Sequence, residues 1–156
     1  MIVINRQVIS TLAEEAKASA RLRKNLNFHH DYSDPVNRML NAFEPGTYVQ
    51  PHKHEDPDKC EVFILLSGKA AAIRFDNAGT IVEYTILDRA EGVYGIEFAA
   101  REWHMIASLA SGTVLYEVKP GPYTPINDKN FAKWAPPEGS PDAAAYLQSV
   151  LDRIVS

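Results

Sequence analysis

The chain has 156 residues, 46% of them hydrophobic and 23% charged, proportions of an ordinary globular domain with room for its own core. A formal net charge of -4 leaves no basic footprint for nucleic acid, and no apolar run approaches the roughly 20 residues that span a bilayer. Cys60 is the only cysteine, which rules out an internal disulfide; with no basic, long-apolar leader at MIVINRQVIS, the expectation is a cytoplasmic protein of one domain, residues 1–156.

In chain order, MIVIN is rich in β-branched residues and predicts a short strand. QVISTLAEEAKASA, residues 7–20, predicts a helix, with Thr11 and Glu14 as a capping box and Leu12 and Ala16 on one face. This N-terminal strand and helix would occupy residues 1–22. RLRKNLNFHHDYSDP follows, with Asn25, Asn27 and His29 alternating with Leu26 and Phe28 as in an edge strand. From about residue 36 to 119 the pattern becomes short strands: VNRMLNAF, TYVQPHKH, EVFILLS, KAAAIRF, IVEYTIL, YGIEFA, WHMIASL and TVLYEVK. EPG, EDPDK, SGK, DNAG, DRAEG, AARE and ASG punctuate them, as in an antiparallel sandwich or barrel. EVFILLS is apolar on both faces, so something must cover its outer side. Beyond it, residues 120–156 are expected to form a wrapping loop anchored by Tyr123, Phe131 and Trp134. A final helix would then be capped by Ser140 and Pro141, with Leu147, Val150, Leu151 and Ile154 as its apolar stripe.

The chemistry concentrates in PHKHEDPDKCE. In a strand His52 and His54 point to one side, about 6–7 Å apart along the chain, a separation that lets both nitrogens reach one ion at about 2.0–2.2 Å. Alone such a pair also suits a solvated strand end. Glu61 opens a strongly apolar strand, where an ionised carboxylate is costly without a partner; facing inward with Phe63 and Leu65, it would meet the histidines if EDPDK turns the chain back as a hairpin. His104 begins another strand with Ile106 on its face. Three imidazoles and one carboxylate form a donor set for one divalent transition metal per chain, whether Fe, Mn, Ni, Co or Zn, and leave open positions for a ligand. Cys60, next to Glu61, alternates away from that face and suits a small buried hydrophobe.

Gly46, five residues, His52-Lys53-His54, then Glu61, six residues and Gly68 resemble the first motif of the cupin superfamily. Six residues separate His54 from Glu61, a longer turn than that motif usually has and a cheap insertion in a loop. His104 falls where the second motif places its histidine, although Ala99, Arg101 and Ser108 stand where proline, glycine and asparagine are usual. Across roughly residues 15 to 140, RLRKNLNFHH, DPVNRMLNAFEPGTYVQPHKH, WH, TVLYEVKPGPY and DKNFAKWAPPEG resemble the WbuC-type cupin-fold metalloproteins. That family is often associated with lipopolysaccharide O-antigen gene clusters. The resemblance implies an all-β cupin (RmlC-like) jelly-roll β-barrel with a short helix near each terminus and a metal at His52, His54, Glu61 and His104.

Around that centre the sequence offers His29 as a proton carrier over the cavity mouth, while His30 would face solvent. Asn27, Tyr48, Gln50, Arg74 and Tyr123 are candidate substrate contacts. Tyr48 and Gln50 share the His52 face of a regular strand, and Arg74 lies inside the apolar KAAAIRF, where an inward guanidinium needs an anion. Arg21 and Arg23 suit a solvated surface or could grip a phosphate or carboxylate; Arg38 shares the ambiguity of Arg74, and Tyr116 could help close the cavity. These features predict a homodimeric metalloprotein that binds or converts a small polar molecule, a sugar or sugar derivative, by isomerisation or epimerisation. Iron-dependent dioxygenation, metal-dependent binding or sensing without turnover, and a metal-free cupin whose histidines act directly are the alternatives.

Overall fold

The computed structural model describes residues 1–123 and 130–154. Its elements, in order, are α1 (Arg6–Ala18), β1 (Arg23–Asn27), β2 (Val36–Phe43), β3 (Glu61–Ser67), β4 (Lys69–Phe75), β5 (Ile81–Asp88), β6 (Gly95–Phe98), β7 (Trp103–Ser108), β8 (Thr113–Pro120) and α2 (Ala143–Leu151). Two antiparallel sheets, ordered β1-β2-β8-β3-β6 and β5-β4-β7, face each other as a jelly-roll sandwich and do not close into a continuous barrel.

Strand alternation builds this sandwich. Phe63, Leu65, Phe98 and Leu115 of the larger sheet meet Ala70, Ala72, Leu87 and Ile106 of the smaller one in a shared core. The opposite faces are covered by the helices. Leu12, Ala13 and Ala16 of α1 pack on Leu40, Ala42 and Val114, with Leu66 alongside, so α1 supplies part of the cover that the doubly apolar β3 requires. Leu147, Val150 and Ile154 of the α2 region pack on Ala71, Ile73, Phe75, Met105 and Ala107. The small alanines of β4 let an apolar layer lie close on each side of the strand. Trp134 rings close over Phe75 at 5.2 Å and fill the space beside Gly79, where an added Cβ would stand 2.6 Å from the indole. The described part of the C-terminal loop thus wraps the smaller sheet, while residues 124–129 of the expected loop lie outside the described residues.

Several local readings differ from the sequence expectations. MIVIN forms no strand: among the described residues no strand pairs with it, and Asn5 instead caps α1, its side chain accepting from Val8 N at 3.1 Å. Thr11 is therefore an interior helical residue and not a cap. Replacing Asn5 with Ala is expected to cost about 1 kcal/mol, read as a lower urea midpoint with an unchanged slope. TYVQPHKH forms only isolated bridges, from His52 to His104 and to Phe131, because Pro51 has no amide hydrogen to extend a ladder. EDPDK is not a hairpin turn but a connection between the sheets: β3 pairs with β6 and β8, whereas the His52 segment lies beside β7. Helix α2 begins at Ala143, after a turn in which Ala143 N donates to Ser140 O at 3.2 Å, so Ser140-Pro141 precedes the helix rather than capping it. Among the described residues, no helix is long and apolar enough to cross a membrane.

Candidate metal centre

Four side chains from three separate places converge between the sheets. His52 and His54 come from the irregular segment before β3, Glu61 from the first position of β3, and His104 from the second position of β7. Their ligand atoms all lie within 4.8 Å of one another. Backbone pairing explains the approach: His52 N donates to His104 O at 3.1 Å, and His104 N donates to His52 O at 2.9 Å. The segment is held on its other side by Lys53 N to Asn130 O at 3.0 Å and Ala132 N to Pro51 O at 2.9 Å, and Arg101 N donates to His54 O at 3.0 Å.

Backbone carbonyls also select the ring tautomers. His104 Nδ1 lies 2.8 Å from Glu102 O, and His52 Nδ1 lies 3.1 Å from Gln50 O. A carbonyl can only accept, so each Nδ1 carries the hydrogen and each Nε2 presents a bare lone pair, the arrangement that metal-ligating histidines use. Phe98 stacks on the His104 ring at 4.3 Å and 14°, fixing its plane. Glu61 Oε2 sits 3.0 Å from His104 Nε2 and 3.3 Å from His54 Nε2.

The electrostatics suit a cation. Burial, then the neighbouring His104, pushes the His52 imidazole down to about 3, so it is neutral at physiological pH. Burial alone would raise the Glu61 carboxyl, but the Lys119 ammonium foremost holds it well below the usual carboxylate range. A neutral imidazole and an ionised carboxylate within this cluster of buried nitrogen and oxygen donors fit a first-row divalent ion. Cys60 is half-buried and free, outside this cluster.

Two charged residues that the sequence reading passed over complete the centre. The β3–β8 register pairs Val62 with Val118 and Phe63 with Glu117, and its continuation sets Glu61 opposite Lys119. Lys119 Nζ donates to Glu61 Oε1 at 2.9 Å and pairs with Glu117 Oε1 at 2.7 Å. Asn41 Nδ2 donates to Glu117 Oε2 at 2.5 Å. Burial and then the Glu61 carboxylate push the Glu117 carboxyl up to about 8, which makes it the weaker acid of the two. Burial would lower the Lys119 ammonium, but Glu61 and Glu117 outweigh it and raise its pKa. The signal was present in TVLYEVK: alternation places Glu117 and Lys119 on the inward face of Leu115.

The centre opens into a cavity of about 670 Å³ whose lining includes His52, Glu61, His104, Glu117, Lys119 and Tyr123. The other candidate contacts lie elsewhere. Tyr48 is buried under α2, its hydroxyl donating to Pro136 O at 2.8 Å and its ring edge-on to Tyr146, and Gln50 Nε2 donates to Ala132 O at 3.0 Å. The irregular segment turns Val49 into the cavity instead. Arg74 is bound to Glu83 at 2.7 Å and Glu102 at 3.4 Å, outside the lining. Asn27 Oδ1 accepts from Asn25 Nδ2 at 2.7 Å; Asn25 lines the cavity and Asn27 does not. His29 is buried with Nδ1 between Arg38 O at 3.1 Å and Arg38 N at 3.3 Å, likewise outside the lining. His30 is exposed. Tyr116 packs against Phe28 on the α1 side, and Tyr123 rings against Tyr32 at 4.9 Å.

Solved structures share the fold at low sequence identity. The chain is similar to TT1209 from Thermus thermophilus, with a TM-score of 0.55, 17% identity, and coverage of 78% of this chain and 98% of that one. It is also similar to the formate complex of oxalate decarboxylase from Lactobacillus farciminis, with a TM-score of 0.50 and 18% identity. That match covers 71% of this chain but only 31% of the decarboxylase. A third similar structure is the cupin domain of Cnp3 from Schizosaccharomyces pombe, with a TM-score of 0.49, 11% identity and 64% of each chain covered. The likeness is one of fold, the cupin (RmlC-like) jelly roll. No curated protein matches the chain. In sequence, residues 4–87 match the family described as a domain of unknown function, DUF6016, and the chain belongs to that family.

Proposed function

We propose that His52, His54, Glu61 and His104 hold one divalent transition metal, and that the cavity beside them binds and converts a small polar molecule, a sugar or sugar derivative. The observation that carries this reading is the convergence of four ligand atoms within 4.8 Å at the wall of a cavity of about 670 Å³. A divalent cation held by these four side chains would supply Lewis acidity to a carbonyl or hydroxyl of the bound molecule.

The remaining chemistry belongs to the chain. Lys119 anchors Glu61 Oε1 and so fixes the orientation of the carboxylate. Glu117, which is among the lining residues, is the chain's candidate to exchange a proton with a bound molecule, a role for which His29 stands outside the lining. Proton movement beside a polarised carbonyl is what isomerisation or epimerisation requires. The WbuC-type resemblance supports placing this activity in cytoplasmic lipopolysaccharide sugar chemistry, carried out by a homodimer.

Elemental analysis of protein purified without an affinity tag is expected to find roughly one transition metal per chain, falling to near zero in His52→Ala. Unchanged metal content in that variant would sink the assignment. Sugar binding without turnover across isomerisation and oxygen-consumption assays would make the protein a binding module instead.

A further inference from the structure

Arg21, Arg23 and Lys24 line the same cavity as His52, Glu61 and His104. The register separates the two groups: Arg23 stands opposite Phe43 on β2, and Lys119 stands opposite Asn37. Six residues along β2 correspond to about 20 Å of strand, so their backbone anchors lie at distinct ends. Asn25, Met39 and Asn41 line the stretch between. The lining carries Arg21, Arg23, Lys24 and Lys119 against Glu61 and Glu117, a local cationic excess in a chain whose formal net charge is -4.

The two arginines converge on a single carboxylate of the chain itself. Arg21 donates to Glu138 Oε1 from Nε at 3.1 Å and from a terminal nitrogen at 2.8 Å. Arg23 donates to both oxygens of Glu138, at 2.8 and 2.7 Å. Arg23 is also pinned from behind, its other terminal nitrogen donating to Tyr48 O at 2.9 Å, so its guanidinium is preorganised rather than free to follow a partner. Glu138 is the more exposed member of that pair, with 37% of its side chain accessible against 17% for Arg23. Beside it, Gly139 has φ +79 and open space where a Cβ would stand, so the loop carrying Glu138 has room on that side. A carboxylate bridged by two guanidinium groups has the contacts that a ligand's phosphate or carboxylate would make.

We propose that Arg21 and Arg23 form an oxyanion subsite in which Glu138 is a built-in competitor, so that the cavity takes a small polar molecule carrying a phosphate or carboxylate. This rests on the metal-centre reading only for the ligand's other end; the arginine subsite stands without it. A purely structural strap between the C-terminal loop and β1 makes the opposite forecast for Glu138, which gives the test its sign.

Calorimetry on the full chain with inorganic phosphate, glucose 6-phosphate, glucuronate and glucose decides between them. Glu138→Gln is expected to tighten phosphate and at least one charged sugar by about threefold to tenfold, because the competing charge is gone while the side-chain shape remains. Arg23→Met, and the more exposed Arg21→Met in case the first fails to fold, should weaken the same probes by about tenfold. Glucose should be indifferent to all three changes. The ratio of glucose 6-phosphate to glucuronate affinity distinguishes a phosphate from a carboxylate. His52→Ala should retain arginine-dependent phosphate binding, so a failure of the metal assignment is visible separately. Phosphate and charged-sugar affinity that is unchanged or weaker in Glu138→Gln, or undetectable in every variant, overturns the proposal.

Discussion

Lys119→Met is expected to lower the stability of metal-free protein by about 3–5 kcal/mol, read from urea denaturation in the presence of a chelator. Lys119 is the counter-charge of Glu61 and Glu117, at 2.9 and 2.7 Å, with side-chain exposures of 12%, 3% and 9% respectively. Methionine keeps the length and most of the packing but leaves the Glu61 carboxylate with imidazoles alone, beside a second buried carboxyl group. Both line the cavity but are almost fully buried, so water entering it offsets only part of the lost charge. A cation bound by the four proposed ligands would replace part of the missing positive charge. The variant should therefore recover more stability on adding metal than the parent does, beyond the mass-action gain of about 2.7 kcal/mol at a hundredfold excess over Kd. An equal metal-induced gain in both proteins would show that Lys119 does not act as counter-charge to the metal-ligating carboxylate.

Glu61→Gln tests the centre from the other side and should weaken metal binding by more than about a hundredfold, since loss of outer partners alone costs about 10–100-fold. The amide preserves volume beside Phe98 and Phe63 but cannot present an anionic oxygen. Competition with a chromophoric chelator gives the affinity, and circular dichroism verifies that the fold persists. Lys119 retains Glu117 as a partner, so the variant should fold. Retained affinity would remove Glu61 from the ligand set.

Much of the sandwich was legible because its strands are amphipathic or doubly buried and end at strong turn residues. VNRMLNAF, EVFILLS and KAAAIRF were bounded correctly at both ends. SGK marked the break between β3 and β4, which belong to different sheets, because Gly68 adopts φ +74 and leaves no room for a Cβ, which would stand 2.5 Å from Thr113 Cα. MIVIN failed for the complementary reason: β-branched composition records a preference for a pleated surface, and only a neighbouring strand can satisfy it. Tyr48 and Gln50 failed because counting alternate residues presumes a regular strand, and Pro51 interrupts the ladder.

What the sequence determined by itself is the inventory: two histidines one residue apart, an acidic residue opening an apolar strand, a third histidine at the head of another strand, and an alternating pattern that buries them. Which of these meet was decided by pairing between positions far apart in the chain. His52 is brought to His104 by backbone bonds across 52 residues of sequence, and the β3–β8 register carries Lys119 to Glu61 across 58. The same register logic took Arg74 to Glu83 and left it outside the cavity lining. Local residue preferences act over a few positions, whereas register is set by the simultaneous burial of every inward face, and only the folded chain expresses that sum.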